Sequence, residues 1–282
     1  ELEALQAILQ RSPRCPGVLQ MTASGTLHGG LYVVMPLLGA CLSRLFERLQ
    51  ALPPAERWSV VGALGRLLLR SLEGIHVCGI VHCDVQPNNI LVGKVDCTPT
   101  RRHAPFRPLF IDFGCARPFP GGMPMNGCWG SLDFNSIRSA GGVERDPNDD
   151  LESLGWVLCH AFAGDLPWFP STVHAWEVGM WQGEAVAQAC REVQQMKLQV
   201  RCKGWGSFGA RWAHLEEIPE PLTAFLRACW SRPTGRSPDY AALSALLGAE
   251  VGLDAEEAEE ADLEFFNEEV VPLLDLADLS LM

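Results

Sequence analysis

Two short segments of the chain carry polar side chains whose types and spacing suit phosphoryl transfer. Asp84 and Asn89 lie within VHCDVQPNNILV, residues 81–92, and Asp112 begins the DFG of IDFGCAR, residues 111–117. This reaction asks little covalent chemistry of a protein, since it depends on a metal ion that neutralises phosphate charge and on a carboxylate that orients the hydroxyl nucleophile. We therefore expect Asp84 to accept the proton of the substrate hydroxyl, and Asn89 and Asp112 to hold Mg²⁺.

The order of these residues matches H-R-D-L-x-x-x-N followed by D-F-G, a layout that is typical of protein kinases. His82, Asp84 and Asn89 occupy the matching positions of the first motif, and the second motif is complete. A DFG alone is weak evidence, because three letters recur by chance. Behind an HxDxxxxN segment, which itself follows a long amphipathic stretch, the combination is specific.

The elements that must position these residues are predicted by apolar periodicity and by turn residues. The stretch before the first motif, PAERWSVVGALGRLLLRSLEGIHVCG, predicts a long helix that opens with Pro. NILV and PLFI predict two strands that lead from the first motif to the second, and two more strands are expected around a Gly/Ser/Thr/His turn in 17–38. Further helices are expected at residues 1–10, 41–50, 149–162, 221–230 and 238–247. The mixture predicts an α+β chain with a mostly helical body.

Longer tracts resemble one family, the casein kinase 1 group of Ser/Thr protein kinases. They are MPLLGACLSRLF at 35–46, GSLDFNSIRSAGGVERDPNDDLESLGWVL at 130–158, GDLPW at 164–168, and PEPLTAFLRACWSRPTGRSPDYAALSALL at 219–247. The replacement of the usual Ala-Pro-Glu by SIRSAGG and the DDLESLG tract are specific to this group among kinases. The resemblance extends over about residues 1–247.

The resemblance implies a protein-kinase-like fold, with a mostly helical C-lobe and only a remnant of the β-rich N-lobe. The partial N-lobe is expected at 1–36, with the first helix and the last two strands, and the C-lobe at 37–248. Residues 249–282 are acidic and low in complexity, so we expect this tail to be disordered or at most a marginal helix. The chain contains neither the Gly-rich loop nor the lysine strand of the family, and we expect it to be N-terminally incomplete.

The resemblance also implies ATP and Mg²⁺ as cofactors and a protein hydroxyl as acceptor. Met35 would be the gatekeeper, the Pro36 carbonyl and the Leu38 amide would meet adenine, and Leu91 would form the floor under the base. Glu1 would be the helix glutamate that pairs with the phosphate-binding lysine. Proline lacks only its N–H, so its carbonyl can still accept a hydrogen bond.

Three departures from the family pattern bear on activity. Gln86 replaces the lysine that contacts the transferring phosphate, and losing such a charge-assisted bond costs about 1.5–3 kcal/mol, or about 10- to 100-fold in rate. Cys83 replaces an arginine that reads a phosphorylated loop in many kinases, and a partly buried inert thiol is favoured over a redox-sensitive one. Lys94, Lys197 and Lys203 all follow the first motif, so none can stand in for the missing lysine.

Two functions therefore stay open. The first is an enzyme that transfers the γ-phosphoryl group of ATP to protein hydroxyls. The second is a catalytically impaired pseudokinase that serves as a docking scaffold, which Gln86 and Cys83 favour. The family's basic tract before DDLESLG is reduced to Arg145, with Arg138 nearby, so a preference for acidic or pre-phosphorylated substrates is not carried over. Asp150, in DDLESLG, is expected to brace the catalytic loop.

Composition narrows the partners and the compartment. The formal net charge is −12, and the basic residues form no stripe interleaved with aromatics, so no nucleic-acid partner is expected. No apolar run is long enough to span a bilayer, so no membrane partner is expected. The 11 cysteines form no CxxC pair, which is typical of thiols in a reducing compartment and predicts a cytoplasmic or nuclear location.

Overall fold

A computed structural model describes residues 1–12, 15, 17–18, 21–94, 105–125, 129–172, 184–249 and 252–274 of the chain. Within these ranges the helices are α1 Leu2–Arg11, α2 Leu42–Leu49, α3 Pro54–Val77, α4 Pro147–Ala163, α5 Glu184–Lys203, α6 Glu220–Ser231, α7 Tyr240–Leu246 and α8 Ala255–Phe265. The strands are β1 Ala23–Leu27, β2 Gly30–Val34, β3 Ile80–Val81, β4 Ile90–Lys94, β5 Phe106–Phe110 and β6 Arg117–Pro118. The described part is helix-rich, which agrees with the predicted α+β class.

The long helix α3 lies at the centre of the core and packs against α4, α7, α8 and β5. Leu64, Leu68 and Leu72 on α3 are fully buried, as their four-residue spacing predicts. The two longest partners approach closely, because a side-chain carbon added at Gly65 would lie 2.9 Å from Leu158 of α4. This contact fixes α4, which carries Asp150, beneath the segment that follows α3.

The described strands form three antiparallel pairs, β1–β2, β3–β6 and β4–β5. The β4–β5 pair confirms the strands predicted from NILV and PLFI. The expected turn in the first pair is wrong in extent, because Ala23–Leu27 forms a strand and only His28 and Gly29 turn. Both have positive φ, 49° and 81°, as a two-residue hairpin turn requires. The mostly small and polar residues of Ala23–Leu27 adopt an extended conformation because they pair with β2.

The expectation of a disordered tail is corrected at Ala255–Phe265, which forms helix α8. Asp254 caps this helix by accepting from the backbone amides of Glu256 and Glu257. Phe266 and Val270 beyond it are fully buried against the core around α3. The acidic composition obscured these two apolar residues, which lie four positions apart in the helical turn that follows α8.

Polar contacts add to the attachment of α8. The Asp262 carboxylate lies 2.6 Å from Arg66 and 2.7 Å from Arg70, both on α3. The side chain of Asn267 accepts from the Phe106 amide and donates to its carbonyl, each at 2.8 Å. These contacts connect the tail to the first residue of β5.

Two further observations concern expectations from composition. No helix within the described residues combines the length and apolar character needed to cross a bilayer. Cys190, on α5, is disulfide-bonded, so the expectation of unpaired thiols is wrong for this residue.

Candidate active site

The β4–β5 pair brings the two motifs together. Asn89 immediately precedes β4, and Asp112 follows β5 after one intervening residue. The register pairs Ile90 with Phe110 at that same end. The amide of Ile111 donates to the carbonyl of Asn89 at 3.0 Å, which extends the pairing to the motif residues themselves. Neighbouring backbone positions therefore hold the two predicted metal ligands.

Asp84 lies nearly buried in a hydrogen-bonded setting. Its carboxylate accepts from Nε2 of Gln86 through both oxygens at 3.0 Å, and from Nδ2 of Asn89 at 2.8 Å. The backbone amide of Ser131 donates to Oδ1 at 2.8 Å. The carboxylate is thus held in one orientation by three residues, and two of them come from its own loop.

Asp112 presents its carboxylate to solvent. Its backbone has φ 59° and ψ 71°, a left-handed conformation that is uncommon for residues other than glycine, and Oδ1 accepts from the Gly114 amide at 3.1 Å. Both acids affect the half-buried thiol of Cys115. Burial raises the pKa of this thiol most, and the charges of Asp84 and Asp112 raise it further. Asp112 directly follows Ile111, whose amide donates to the Asn89 carbonyl, so its backbone is held beside the loop that carries Asp84.

A histidine joins the two motifs. Nε2 of His82 lies 3.1 Å from the carbonyl of Ile111, and Nδ1 lies 3.3 Å from the amide of Asp84. The amide can only donate, so Nδ1 accepts and the proton sits on Nε2. The imidazole also packs against Phe113, with ring centroids 4.7 Å apart. His82 thus fixes the catalytic loop relative to the DFG segment.

Asp150 braces the catalytic loop from beneath, as expected. Its two oxygens accept from the backbone amides of His82 and Cys83, at 2.7 and 2.8 Å. Nε2 of His76 lies 2.9 Å from the same carboxylate, and its Nδ1 lies 2.6 Å from the Tyr240 hydroxyl. Although burial alone would raise the pKa of the Asp150 carboxyl, the hydrogen bond and charge of His76 hold it below its usual value.

The cysteine of the first motif is unsuited to redox or nucleophilic chemistry. Cys83 is buried with φ 66°, and burial, reinforced by the charge of Asp150, raises the pKa of its thiol far above the ordinary value. A thiol in that state is inert. The charge of Arg145, two residues before α4, lowers the pKa of this thiol but does not outweigh burial. Arg145 is itself only 3% exposed.

The residues expected around adenine separate into two groups. Met35, Leu38 and Leu91 form one apolar cluster with Leu109 and Ile111. Leu91 and Ile111 are partly exposed, so the cluster offers an open apolar wall beside the DFG segment.

Pro36 is exposed and lies outside that cluster. Glu1 is exposed at the N-terminal end of α1, and none of the described hydrogen bonds or ion pairs connects its side chain to the site. The roles expected for both stay predictions. Among the lysines, Lys94 lies over the Phe106 ring at the far end of β4, and Lys197 is buried on α5.

Comparison with known proteins gives the family. A family model described as the protein kinase domain matches residues 5–238. The chain belongs to this family. A probable casein kinase I homologue of Encephalitozoon cuniculi is 30% identical over 161 residues, which are 55% of this chain and 46% of the relative. A probable serine/threonine-protein kinase of Dictyostelium discoideum is 31% identical over 169 residues, 57% of this chain and 32% of the relative. The chain spans less than half the length of these two curated relatives.

The site residues of this protein kinase chain fit a metal-bound nucleotide. Asn89 and Asp112 supply amide and carboxylate oxygens, which are the donors that Mg²⁺ prefers. Because Nδ2 of Asn89 faces Asp84, its Oδ1 is the atom left to meet a metal ion. The apolar wall around Leu91 suits the flat face of a nucleotide base.

Two parts of the site were not predicted from the sequence. The Ser131 amide that holds Asp84 comes from a loop with little periodicity, and a backbone amide leaves no signature in residue type. The His76–Tyr240 pair behind Asp150 joins residues far apart in the chain. The PDY of the closing tract, whose tyrosine is Tyr240, was the signal that could have found it.

Proposed function

We propose that this chain is the catalytic part of a casein kinase 1-like Ser/Thr protein kinase, which transfers the γ-phosphoryl group of ATP to protein hydroxyls. The observation that supports it best is the orientation of Asp84, whose carboxylate is hydrogen-bonded to Gln86, Asn89 and the Ser131 amide. The long tracts shared with the casein kinase 1 group support the finer assignment. The proposed enzyme works with a Gly-rich loop and a lysine strand that this sequence does not contain.

Each residue has a distinct task in this proposal. Bound Mg·ATP would supply the transferable phosphoryl group and neutralise its charge. Asp84 would accept the proton of the acceptor hydroxyl while that oxygen forms its bond to the γ-phosphorus and the bond from that phosphorus to the bridging oxygen breaks, so that ADP leaves. Asn89 and Asp112 would hold the metal ion, and Leu91 with Met35 and Leu38 would form the apolar wall for adenine. Gln86 keeps Asp84 oriented but carries no charge toward the phosphate.

The substrate is a protein hydroxyl, and the two arginines that remain of the family's basic tract do not favour acidic sequences. Arg145 is only 3% exposed, and Arg138 is paired with Asp149 at 2.6 Å and Asp146 at 3.1 Å. An acidic substrate would have to displace these partners. A cytoplasmic or nuclear location is part of the proposal, on the basis of the eight described cysteines that are free, although Cys190 is disulfide-bonded.

Transfer of ³²P from labelled ATP to casein, measured on the natural gene product with Mg²⁺, tests this function. Asp84→Asn should reduce the rate by about 10²- to 10⁴-fold, the range for a positioned general base. Asp112→Asn should increase the Mg²⁺ concentration needed for half-maximal activity, because it removes a carboxylate ligand. Glu217→Gln removes an exposed carboxylate elsewhere and should leave the rate unchanged. Equal activity in Asp84→Asn and in the natural protein would exclude the proposal.

The alternative is a pseudokinase that acts as a docking scaffold. Gln86 supports it, because a neutral amide contacts both oxygens of the carboxylate where the resemblance implies a lysine. A thermal shift assay with Mg·ATP separates the two functions. A rise in melting temperature together with phosphate transfer supports the enzyme. A folded protein that shows no rise in melting temperature and no phosphate transfer supports the scaffold.

A further inference from the structure

The loop from Ser131 to Ile137, here called the acceptor loop, lies between Asp84 and helix α5. On one side the Ser131 amide donates to Asp84, and the Ile137 amide donates to Glu152 of α4, both at 2.8 Å. These two bonds fix the ends of the loop. The first of them joins the loop directly to the proposed catalytic carboxylate.

Helix α5 holds the other side of the acceptor loop through backbone carbonyls. Nζ of Lys197 donates to the carbonyl of Asn135 at 2.7 Å and to that of Leu132 at 3.3 Å. Gln194, one turn earlier on the same face, donates through Nε2 to the carbonyl of Ile137 at 2.9 Å. Two α5 side chains thus hold three carbonyls of one short loop.

Lys197 occupies an unusual setting for a lysine. Its side chain is 1% exposed and lies over the rings of Trp156 and Trp168, at 5.5 and 5.3 Å. Burial lowers the pKa of its ammonium to about 7, against the raising effect of Glu152 and Asp133, which face it. Burying an ammonium is costly, so its bonds to the loop carbonyls offset a real penalty.

The acceptor loop also lies so close to the catalytic loop that a movement of one would displace the other. A side-chain carbon added at Gly130 would lie 2.7 Å from the Cys83 carbonyl and 3.1 Å from the Asp84 carboxylate. Gly130 also has φ 76°, which favours glycine. The residue just before the acceptor loop therefore packs against the Cys83 carbonyl and the carboxylate of the proposed catalytic residue.

We propose that Lys197, assisted by Gln194, is a positioning residue that sets the acceptor loop against Asp84 and so places the substrate hydroxyl. This rests on the proposed function, because the hydroxyl is that of the kinase substrate. Neither residue belongs to the Met35–Leu91 wall expected for ATP. The effect should therefore fall on use of the protein substrate and leave use of the nucleotide unchanged.

Two measurements on the natural gene product test this role. Lys197→Met keeps the aliphatic stem between the tryptophans and removes every N–H donor. Steady-state kinetics with casein and Mg·ATP should show kcat/KM for casein reduced by roughly 10- to 100-fold, the effect of losing a charge-assisted bond, with KM for ATP unchanged. Hydrogen exchange of residues 130–137 should be at least about tenfold faster. Lys203→Met removes an exposed lysine from the same helix and should change neither.

Gln194→Leu covers the case in which Lys197→Met does not fold. It removes only the bond to Ile137, at a half-buried position, and should accelerate exchange around that residue with a smaller loss of kcat/KM. Unchanged loop exchange in folded variants, or a parallel rise in KM for ATP, would overturn the proposal. If the natural protein transfers no phosphate, the proposed function fails, while the exchange measurement still decides whether α5 holds the loop.

Discussion

The side-chain amide of Gln86 donates to both carboxylate oxygens of Asp84, at 3.0 Å each. The contact orients the carboxylate through a neutral donor, where a lysine would bring a positive charge. The position can therefore orient the proposed base, but it cannot stabilise the negative charge that develops on a transferring phosphoryl group.

Gln86→Lys should consequently raise the rate of phosphate transfer by about 10- to 100-fold, because it restores one charge-assisted hydrogen bond. The measurement is kcat/KM with casein at saturating Mg·ATP. Gln188→Lys, at an exposed position on α5, adds the same charge elsewhere and is the control. No gain in Gln86→Lys over the control would show that the phosphate contact is not what limits this site.

Removal of Asp150 should unfold the catalytic loop, which contains His82 and Cys83, before it affects the apolar wall around Leu91. Asp150→Ala leaves the amides of His82 and Cys83 buried without an acceptor and His76 without its carboxylate. Breaking a buried pair of this kind costs about 3–5 kcal/mol. Urea unfolding measures the loss. Glu217→Ala, at an exposed site, should change the free energy of unfolding by less than about 0.5 kcal/mol.

The tail contributes to stability, so shortening it should weaken the fold. Phe266→Ala removes a fully buried ring from the core and should lower the free energy of unfolding by about 3–5 kcal/mol. Glu264→Ala changes an exposed neighbour and is the matched control. Truncation at Gly248 removes Phe266 and Val270 together, and a truncated chain with an unchanged melting temperature would contradict the packing of α8.

A buried histidine should make the protein sensitive to mild acid. Burial lowers the pKa of His160 to about 4, among the rings of Phe46, Phe134 and Phe169. The unfolded chain takes up the proton first, near its ordinary value of about 6.5, so stability present above that pH is lost as the pH falls toward 4.

Comparison of urea unfolding at pH 7 and pH 4.5 measures this term. The natural protein should lose about 1–3 kcal/mol more between these pH values than His160→Phe, which keeps an aromatic ring and does not titrate. Equal acid sensitivity in the two proteins would assign the pH dependence to other groups.

Local signals in the sequence were sufficient for much of the fold and for the centre of the site. The spacing of Leu64, Leu68 and Leu72 predicted α3, and the order of the motif residues predicted that Asp84 and Asn89 meet. Both depend on residues close together in the chain, where backbone geometry alone determines which side chains share a face.

The parts that escaped prediction depend on distant partners. Helix α5 was not predicted, because its charged and amide side chains blur the apolar period, although Lys197 and Val200 are buried. In the tail, acidic composition pointed to disorder, whereas Phe266 and Val270 are buried in the core and Arg66 and Arg70 on α3 pair with Asp262. Composition counts charges but does not show which of them will find a partner.

The pairing of β4 with β5 places the connection between the two strands at the end away from the proposed metal ligands. The ladder pairs Ile90 with Phe110 at the end nearest the proposed metal ligands, whereas the connection leaves from Lys94 and returns at Phe106, the opposite end. The cost of closing a loop grows only slowly with its length. Homologous chains can therefore gain or lose residues in this connection while the two ligands keep their spacing, and a reporter peptide inserted there should leave phosphate chemistry intact.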